Sequence, residues 1–317
     1  MRFTDKLAAS GILILDGGLA TELEVRGCDL NQSLWSAAVL DQSPQVIREV
    51  HRSYLEAGAD CIATASYQAS VPGFRAAGFD TRTGEALYRR SIRLAYEARD
   101  AFCKAQRIAA DSLEAPLVAA SIGPYGAYLA DGSEYRGGYA VRPDELADFH
   151  AERIQLAVDE LRSHTDHPLL AFETIPSLPE GLILAEILGR HSGVEAWLSF
   201  SCPTASATSE GQPIAECVAA VEECRGIVAL GVNCTRPELL AELVTQFAAG
   251  SRPVVAYPNA GGSYDAARKE WSTDGEAIPA ASVFGDWVDA GARVLGGCCR
   301  STPEWIAALV RFRAARP

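Results

Sequence analysis

The sequence predicts an α/β chain folded as a single-domain (β/α)8 TIM barrel over residues 1–317. Three observations carry this reading. Eight short apolar runs alternate from end to end with longer stretches of helical spacing. Polar and glycine-rich clusters follow nearly every run, as a ring of strand-to-helix loops requires. The phosphate-cradling patterns of open doubly wound sheets are missing: no G-x-G-x-x-G follows the first run, and no G-x-x-x-x-G-K-[ST] occurs anywhere.

The runs are 12–15, 60–64, 116–121, 168–172, 195–200, 226–230, 253–257 and 292–295. They are rich in Val, Ile, Leu and Ala and hardly alternate, which is the pattern of parallel strands covered on both faces. The first strong helix signal is Ser43-Pro44, a cap followed by Pro, with Val46, Ile47, Val50, Tyr54 and Leu55 on one face and Gly58 as the stop. Further helices are expected over 84–106, 143–163, 178–190, 213–224, 237–249, 280–290 and 303–314. Pro143, Pro237 and Pro303 open three of them, each followed by an acid that complements the helix dipole. The longest loop, 122–140, is dense in Gly and Tyr and reads as an ordered functional flap.

Composition narrows the function classes. The net charge is −13, from 28 basic and 41 acidic residues, which argues against nucleic acid and anionic membranes as partners. The apolar stretch Ile12–Leu15 is broken at Asp16, too short for a secretory leader, and no apolar run approaches a membrane span. Nine cysteines, an odd number, leave at least one thiol unpaired within the chain. The expected setting is the reducing cytoplasm, with small-molecule substrates and an oligomeric state the sequence does not reveal.

The strongest chemical signal is Gly296-Gly297-Cys298-Cys299-Arg300, directly after the eighth run. Adjacent trans Cα atoms lie about 3.8 Å apart, below the usual disulfide range of about 4.4–6.8 Å. Two such thiols can instead converge on one soft metal. Cys234, in Gly231-Val232-Asn233-Cys234-Thr235 after the sixth run, is placed to join them, because strands 6 and 8 of a barrel end on one face. Three thiolates select Zn²⁺ with a fourth position open; buried structural cysteines are the competing reading. Cys28, Cys61, Cys103, Cys217 and Cys224 have no convergent partner, and Cys202, after the fifth run, reads as a small loop residue. The histidines His51, His150, His164, His167 and His191 fall mainly in helices or before strands, which disfavours a His-ligated metal.

Asp16, after the first run, and Glu173, after the fourth, lie on the expected active face. A retaining glycosidase needs a second carboxylate about 5 Å away, and the seventh run offers none until Asp265. Binding the ammonium group of an amino-acid substrate fits Asp16 and Glu173 better. Capping the next helix is the alternative for Asp16.

Seven segments together resemble the homocysteine S-methyltransferases, most of all the type using S-methylmethionine or S-adenosylmethionine. They are DGGLATELEVRG (16–27), VHRSYLEAGAD…ATASYQAS (50–70), AASIGPYGAYLADGSEYRG (119–137), FETIPS (172–177), GVNCT (231–235), YPNAG (257–261) and GGCCRSTP (296–303). The resemblance covers essentially the whole chain. It implies a homocysteine-binding barrel domain, zinc on Cys234, Cys298 and Cys299, and the homocysteine amino group on Asp16 and Glu173. It further implies Gly18, Thr64 and Asn233 beside the substrate and Tyr67 on the donor side. One departure is visible: Thr64-Ala65-Ser66-Tyr67 stands where the family pattern has Thr-Asn-Ser-Tyr.

The implied reaction moves a methyl group from a sulfonium donor to the homocysteine thiolate, giving methionine. Zinc would deprotonate the acceptor thiol, and methyl transfer itself needs no general acid or base. Tyr67, Tyr125, Tyr128, Tyr135 and Trp35 are candidates to face the sulfonium. The alternatives are a related methyltransferase using betaine or acting on another thiol or selenol, and a non-catalytic zinc- or thiol-binding barrel.

Overall fold

All eight apolar runs form strands: β1 (Leu13–Ile14), β2 (Cys61–Ala63), β3 (Leu117–Ile122), β4 (Leu169–Ile175), β5 (Glu195–Phe200), β6 (Ile227–Asn233), β7 (Val254–Tyr257) and β8 (Ala292–Leu295). The structure, a computed structural model, describes residues 1–30, 35–261, 264–265, 270–271 and 278–316. Neighbouring strands pair in parallel in the order β1-β8-β7-β6-β5-β4-β3-β2. A parallel bridge from Leu15 to Cys61 joins β1 to β2 and closes the ring. The chain is a (β/α)8 barrel.

The absence of alternation in the runs has a direct cause. Every residue of β3 is buried. Leu117 and Ala119 fill the barrel interior with Leu13, Leu15, Leu169, Trp197 and Val255. Val118, Ala120 and Ile122 project to the other side, into the layer beneath the helices. The helix Phe3–Ser10 plugs the mouth where the strands begin. The Phe3 ring sits 5.8 Å from that of Trp197, and Glu195, the first residue of β5, accepts from Phe3 N at 2.9 Å and Thr4 Oγ1 at 2.7 Å. The opposite mouth, at the strand C-termini, carries the chemistry-bearing loops.

The expected helices form as Pro44–Glu56, Thr81–Gln106, Pro143–Arg162, Leu178–Leu188, Ile214–Val221, Leu240–Phe247, Ala281–Ala290 and Pro303–Ala314. A 3-10 turn, Pro237–Leu239, precedes Leu240–Phe247. The structure adds helices that the pattern does not predict: Phe3–Ser10, Leu19–Val25, Trp35–Gln42, Val71–Ala76 and Tyr125–Leu129. Each spans eight residues or fewer, too few turns for apolar spacing to register. A small antiparallel ribbon pairs Tyr264–Asp265 with Glu270–Trp271. Among the described residues, no helix is long and apolar enough to cross a membrane.

Two strands run three residues past their expected ends, and both extensions matter to the site. β6 continues to Asn233. β4 continues through Glu173 to Ile175, with a register irregularity between Phe172 and Ile175 and a left-handed φ of 61° at Thr174. Glu173 therefore sits at a break inside the strand instead of at its end.

Candidate active site

Cys234 follows β6, and Cys298 and Cys299 follow β8, with β7 between them. Their Sγ atoms lie within 4.8 Å of one another, Cys234 and Cys299 at 3.4 Å. Bonds of about 2.3 Å from a tetrahedral ion put sulfurs about 3.8 Å apart, so this group has the spacing and the soft donors to hold a metal ion. Among the described residues it is the group of metal-ligating side chains that converges, and no histidine or carboxylate joins it. Cys202 stays outside it, buried, with its thiol pushed up by burial first and then by the neighbouring Cys217.

The backbone holds the three thiols in place. Cys234 N donates to Tyr257 O at 3.1 Å, Cys298 N to Pro258 O at 2.7 Å, and Gly297 N to Asp16 O at 3.0 Å. A Cβ on Gly18 would stand 2.7 Å from Cys298 O, and one on Gly297 would stand 2.1 Å from Ser301 Oγ. Only glycine allows these approaches. Thr174, Cys234 and Arg300 share left-handed φ values of 61°, 47° and 64°. The other left-handed non-glycine positions among the described residues, Arg107 and Ala130, are helix C-caps, so the remaining strain gathers around the thiols. Contacts from Cys298 and then Cys299 hold the Cys234 thiol well below its ordinary value, and the same sharing raises its two partners.

Asp16 and Glu173 both face this mouth and carry no ion pair among the described residues. Asp16 does not cap the following helix, whose cap position is Gly18; its Oδ2 accepts from Ala63 N at 2.9 Å. Burial raises its carboxyl well above the usual range, with Glu173 adding like-charge repulsion. Glu173 is bonded to Ser121 Oγ and accepts from Tyr257 OH at 3.2 Å. Burial pushes its carboxyl up to about 7. Behind it, Tyr257 OH accepts from Trp197 Nε1 at 2.9 Å and lies 2.7 Å from Ser199 Oγ.

Asn233 links the two halves. Its Oδ1 accepts from Thr174 N at 2.6 Å and Ser199 Oγ at 2.9 Å, and its Nδ2 donates to Thr174 Oγ1 at 2.8 Å and reaches Cys298 Sγ at 3.7 Å. The Thr64 hydroxyl lies 2.6 Å from Ser66 Oγ and accepts from Ser121 N at 3.1 Å, which ties β2 to the serine behind Glu173. Gly18 N donates to Ser301 O at 3.1 Å. Ala65 is buried in the apolar layer.

The segment 122–140 is an ordered flap. It contains the helix Tyr125–Leu129 and the 3-10 turn Ser133–Tyr135. Its start is fixed by the buried Arg153 guanidinium, which donates to Gly123 O at 2.8 Å and to Tyr67 O at 2.8 Å. The buried Glu180 accepts from Tyr125 N at 2.7 Å and Tyr139 OH at 3.1 Å, and lies 2.8 Å from His150 Nε2. So anchored, the flap sets Tyr135 OH 3.3 Å from Cys234 Sγ. Tyr67 comes within reach of Thr174, and Cys234 and Glu134 act on it electrostatically. Of the other candidate aromatics, Tyr125 and Tyr128 pack against Phe149 at 5.0 and 5.2 Å between ring centroids and seat the flap on the helix Pro143–Arg162. The Trp35 side chain lies outside the described residues.

A family model described as homocysteine S-methyltransferase matches residues 13–312. The chain belongs to the homocysteine S-methyltransferase family. It is similar to the homocysteine S-methyltransferase of Escherichia coli strain K12, with 46% identity over 300 residues and 94% of each chain covered. It is also similar to the selenocysteine Se-methyltransferase of Brassica oleracea var. italica, with 44% identity over 316 residues, covering 96% of this chain and 90% of that one. Among solved structures, the metallated form of the homocysteine methyltransferase MmuM from Escherichia coli matches with a TM-score of 0.82 at 42% identity, over 94% of this chain and 95% of that one. Homocysteine S-methyltransferase relatives of this kind match the barrel over nearly its full length.

Sequence reasoning did not single out Ser121, Tyr257, Ser199 or Glu134. Ser121, Ser199 and Tyr257 lie inside apolar runs, where a lone polar residue reads as a satisfied core residue. Glu134 reaches the site only because the flap folds back over the mouth.

Proposed function

We propose that this protein is a zinc-dependent methyltransferase that moves a methyl group from a sulfonium donor, S-methylmethionine before S-adenosylmethionine, to homocysteine, giving methionine. One observation carries the reading: a three-thiol group that fits a soft metal stands beside two carboxylates, buried Asp16 and half-buried Glu173, that have no cation of their own among the described residues. Cys234, Cys298 and Cys299 would hold the zinc, which when bound would supply the Lewis acidity that keeps an acceptor thiol ionised at neutral pH.

The chain's own residues do the rest. Asp16 and Glu173 take the ammonium group of homocysteine through charge-assisted hydrogen bonds. Ser121 and Tyr257 hold the Glu173 carboxylate toward it. Asn233 fixes Thr174 and Cys298 together, so the amino-group end and the thiol end of the acceptor keep one spacing. Gly18 brings its loop against Cys298, and Thr64 braces Ser121. Tyr135 and Tyr67 wall the donor side and exclude water. The new carbon–sulfur bond forms on homocysteine as the donor's carbon–sulfur bond breaks, and the bonding pair leaves with the donor sulfur. Opposite charges cancel in this step, so a dry pocket favours it, and no residue must move a proton. The barrel, 1–317, acts as one domain in a reducing cytoplasmic setting, a reading supported by its nine free thiols.

The relatives' names favour homocysteine and admit selenocysteine as a second acceptor. A panel assay separates the possibilities. Homocysteine and selenocysteine are each offered S-methylmethionine, S-adenosylmethionine and betaine, with methylated product measured. Turnover of homocysteine with S-methylmethionine fastest, and betaine slowest, is the expected result. Product from betaine alone overturns the donor assignment, and metal binding without product from any donor overturns the enzyme assignment.

A further inference from the structure

Glu134 is a carboxylate without a visible task. It lies in the flap's 3-10 turn beside Tyr135, which touches Cys234. Its backbone carbonyl accepts from Ser201 Oγ at 3.2 Å, which fixes the residue on the mouth. Its Oε2 is buried and has no hydrogen-bond partner among the described residues. No ion pair reaches it among the described residues: the nearby Arg136 turns its guanidinium to Asp131 O at 3.2 Å. The charge of Glu134 acts on Tyr67 across the mouth, and Cys234 lies close enough to act on both.

A sequestered carboxylate oxygen with no donor is costly to keep. Here a built network keeps it, since Arg153, Glu180 and Ser201 all anchor the flap that carries it. We propose that Glu134 is the anionic group that receives the positive charge of the methyl donor, between Tyr67 and Tyr135 and across from the acceptor thiol. This rests on the sulfonium-donor reading above and adds the residue that recognises the donor. Burial works against the charge of the free carboxyl, and a cation seated against its unpartnered oxygen would offset that cost. Asp16 and Glu173 serve the acceptor's ammonium group; Glu134 gives the donor a separate carboxylate. The cationic group it meets is either the sulfonium or an ammonium carried on the same donor.

Steady-state kinetics of the metal-loaded enzyme test this with Glu134→Gln and Glu134→Asp. For Glu134→Gln, the KM for S-methylmethionine is expected to rise about 10- to 100-fold, the range of a lost charged hydrogen bond. The KM for homocysteine and the metal content should stay within about twofold. Glu134→Asp, which keeps the charge on a shorter arm, should fall between. Dimethylsulfoniopropionate, which lacks the ammonium, separates the two cations: an equal penalty with it assigns the sulfonium, and a vanished penalty assigns the ammonium. A donor KM unchanged in Glu134→Gln, or both KM values rising together in both variants, overturns the assignment while leaving the methyltransferase reading intact. A wild-type enzyme that uses no sulfonium donor removes both.

Discussion

Cys298→Ser is expected to abolish methyl transfer and metal binding together. The three thiols form one donor group within 4.8 Å, and Cys298 is also the one that Asn233 Nδ2 approaches, at 3.7 Å. Serine keeps the volume roughly and the Asn233 contact, but its hydroxyl does not ionise at neutral pH. The loss should exceed the roughly 10- to 100-fold that removal of an outer partner of a metal ligand costs. Metal per chain and methionine formation are the two readings, taken with a thermal unfolding curve that shows the barrel intact. Cys298 packs only at the edge of the barrel interior and serine is close to it in volume, so the variant should remain folded. A variant that keeps full activity would show that the thiols are only structural.

Glu173→Gln is expected to have opposite effects on binding and on stability. Losing one charged hydrogen bond to the homocysteine ammonium costs about 1.5–3 kcal/mol, which raises the KM for homocysteine about 10- to 100-fold. The unliganded fold should become more stable. Burial holds the Glu173 carboxyl at about 7, above its ordinary 4.5. Below pH 4.5 the group is protonated in both folded and unfolded chains, and the variant gains nothing. As pH rises from 4.5 through 7, the unfolded chain ionises first and the wild-type fold loses about 3 kcal/mol, which glutamine escapes. Urea unfolding of the ligand-free protein at pH 5 and pH 8 measures this. The gap between variant and wild type should open at the higher pH. Equal gaps at both values would mean that Glu173 is not held in its neutral form by the fold.

Much of this site was legible in the sequence because a barrel turns order along the chain into position around a ring. Cys234 after the sixth run and Cys298-Cys299 after the eighth had to reach the same mouth once the runs were strands. Asp16 and Glu173 were placed by the same rule. The rule failed where function interrupts regular structure. β4 and β6 run on to Ile175 and Asn233 because polar residues there bond across the mouth, and polar residues end an apolar run on paper. Ser121 and Tyr257 were hidden for the converse reason, as single polar groups within buried strands. The flap was readable as ordered from its composition. Which of its tyrosines meets the thiols was not: Tyr135 does so because Arg153 and Glu180, distant in sequence, fix the flap's path, while Tyr125 and Tyr128 are taken up by Phe149.

The central claim is that the three-thiol group holds a zinc ion without which homocysteine is not methylated. Its most direct test is methionine formation from homocysteine and S-methylmethionine by one preparation of the enzyme, as purified, after removal of metal by a chelator, and after return of zinc. The account predicts activity that disappears with the chelator and returns with about one zinc per chain. Undiminished methionine formation by the metal-free protein would contradict it.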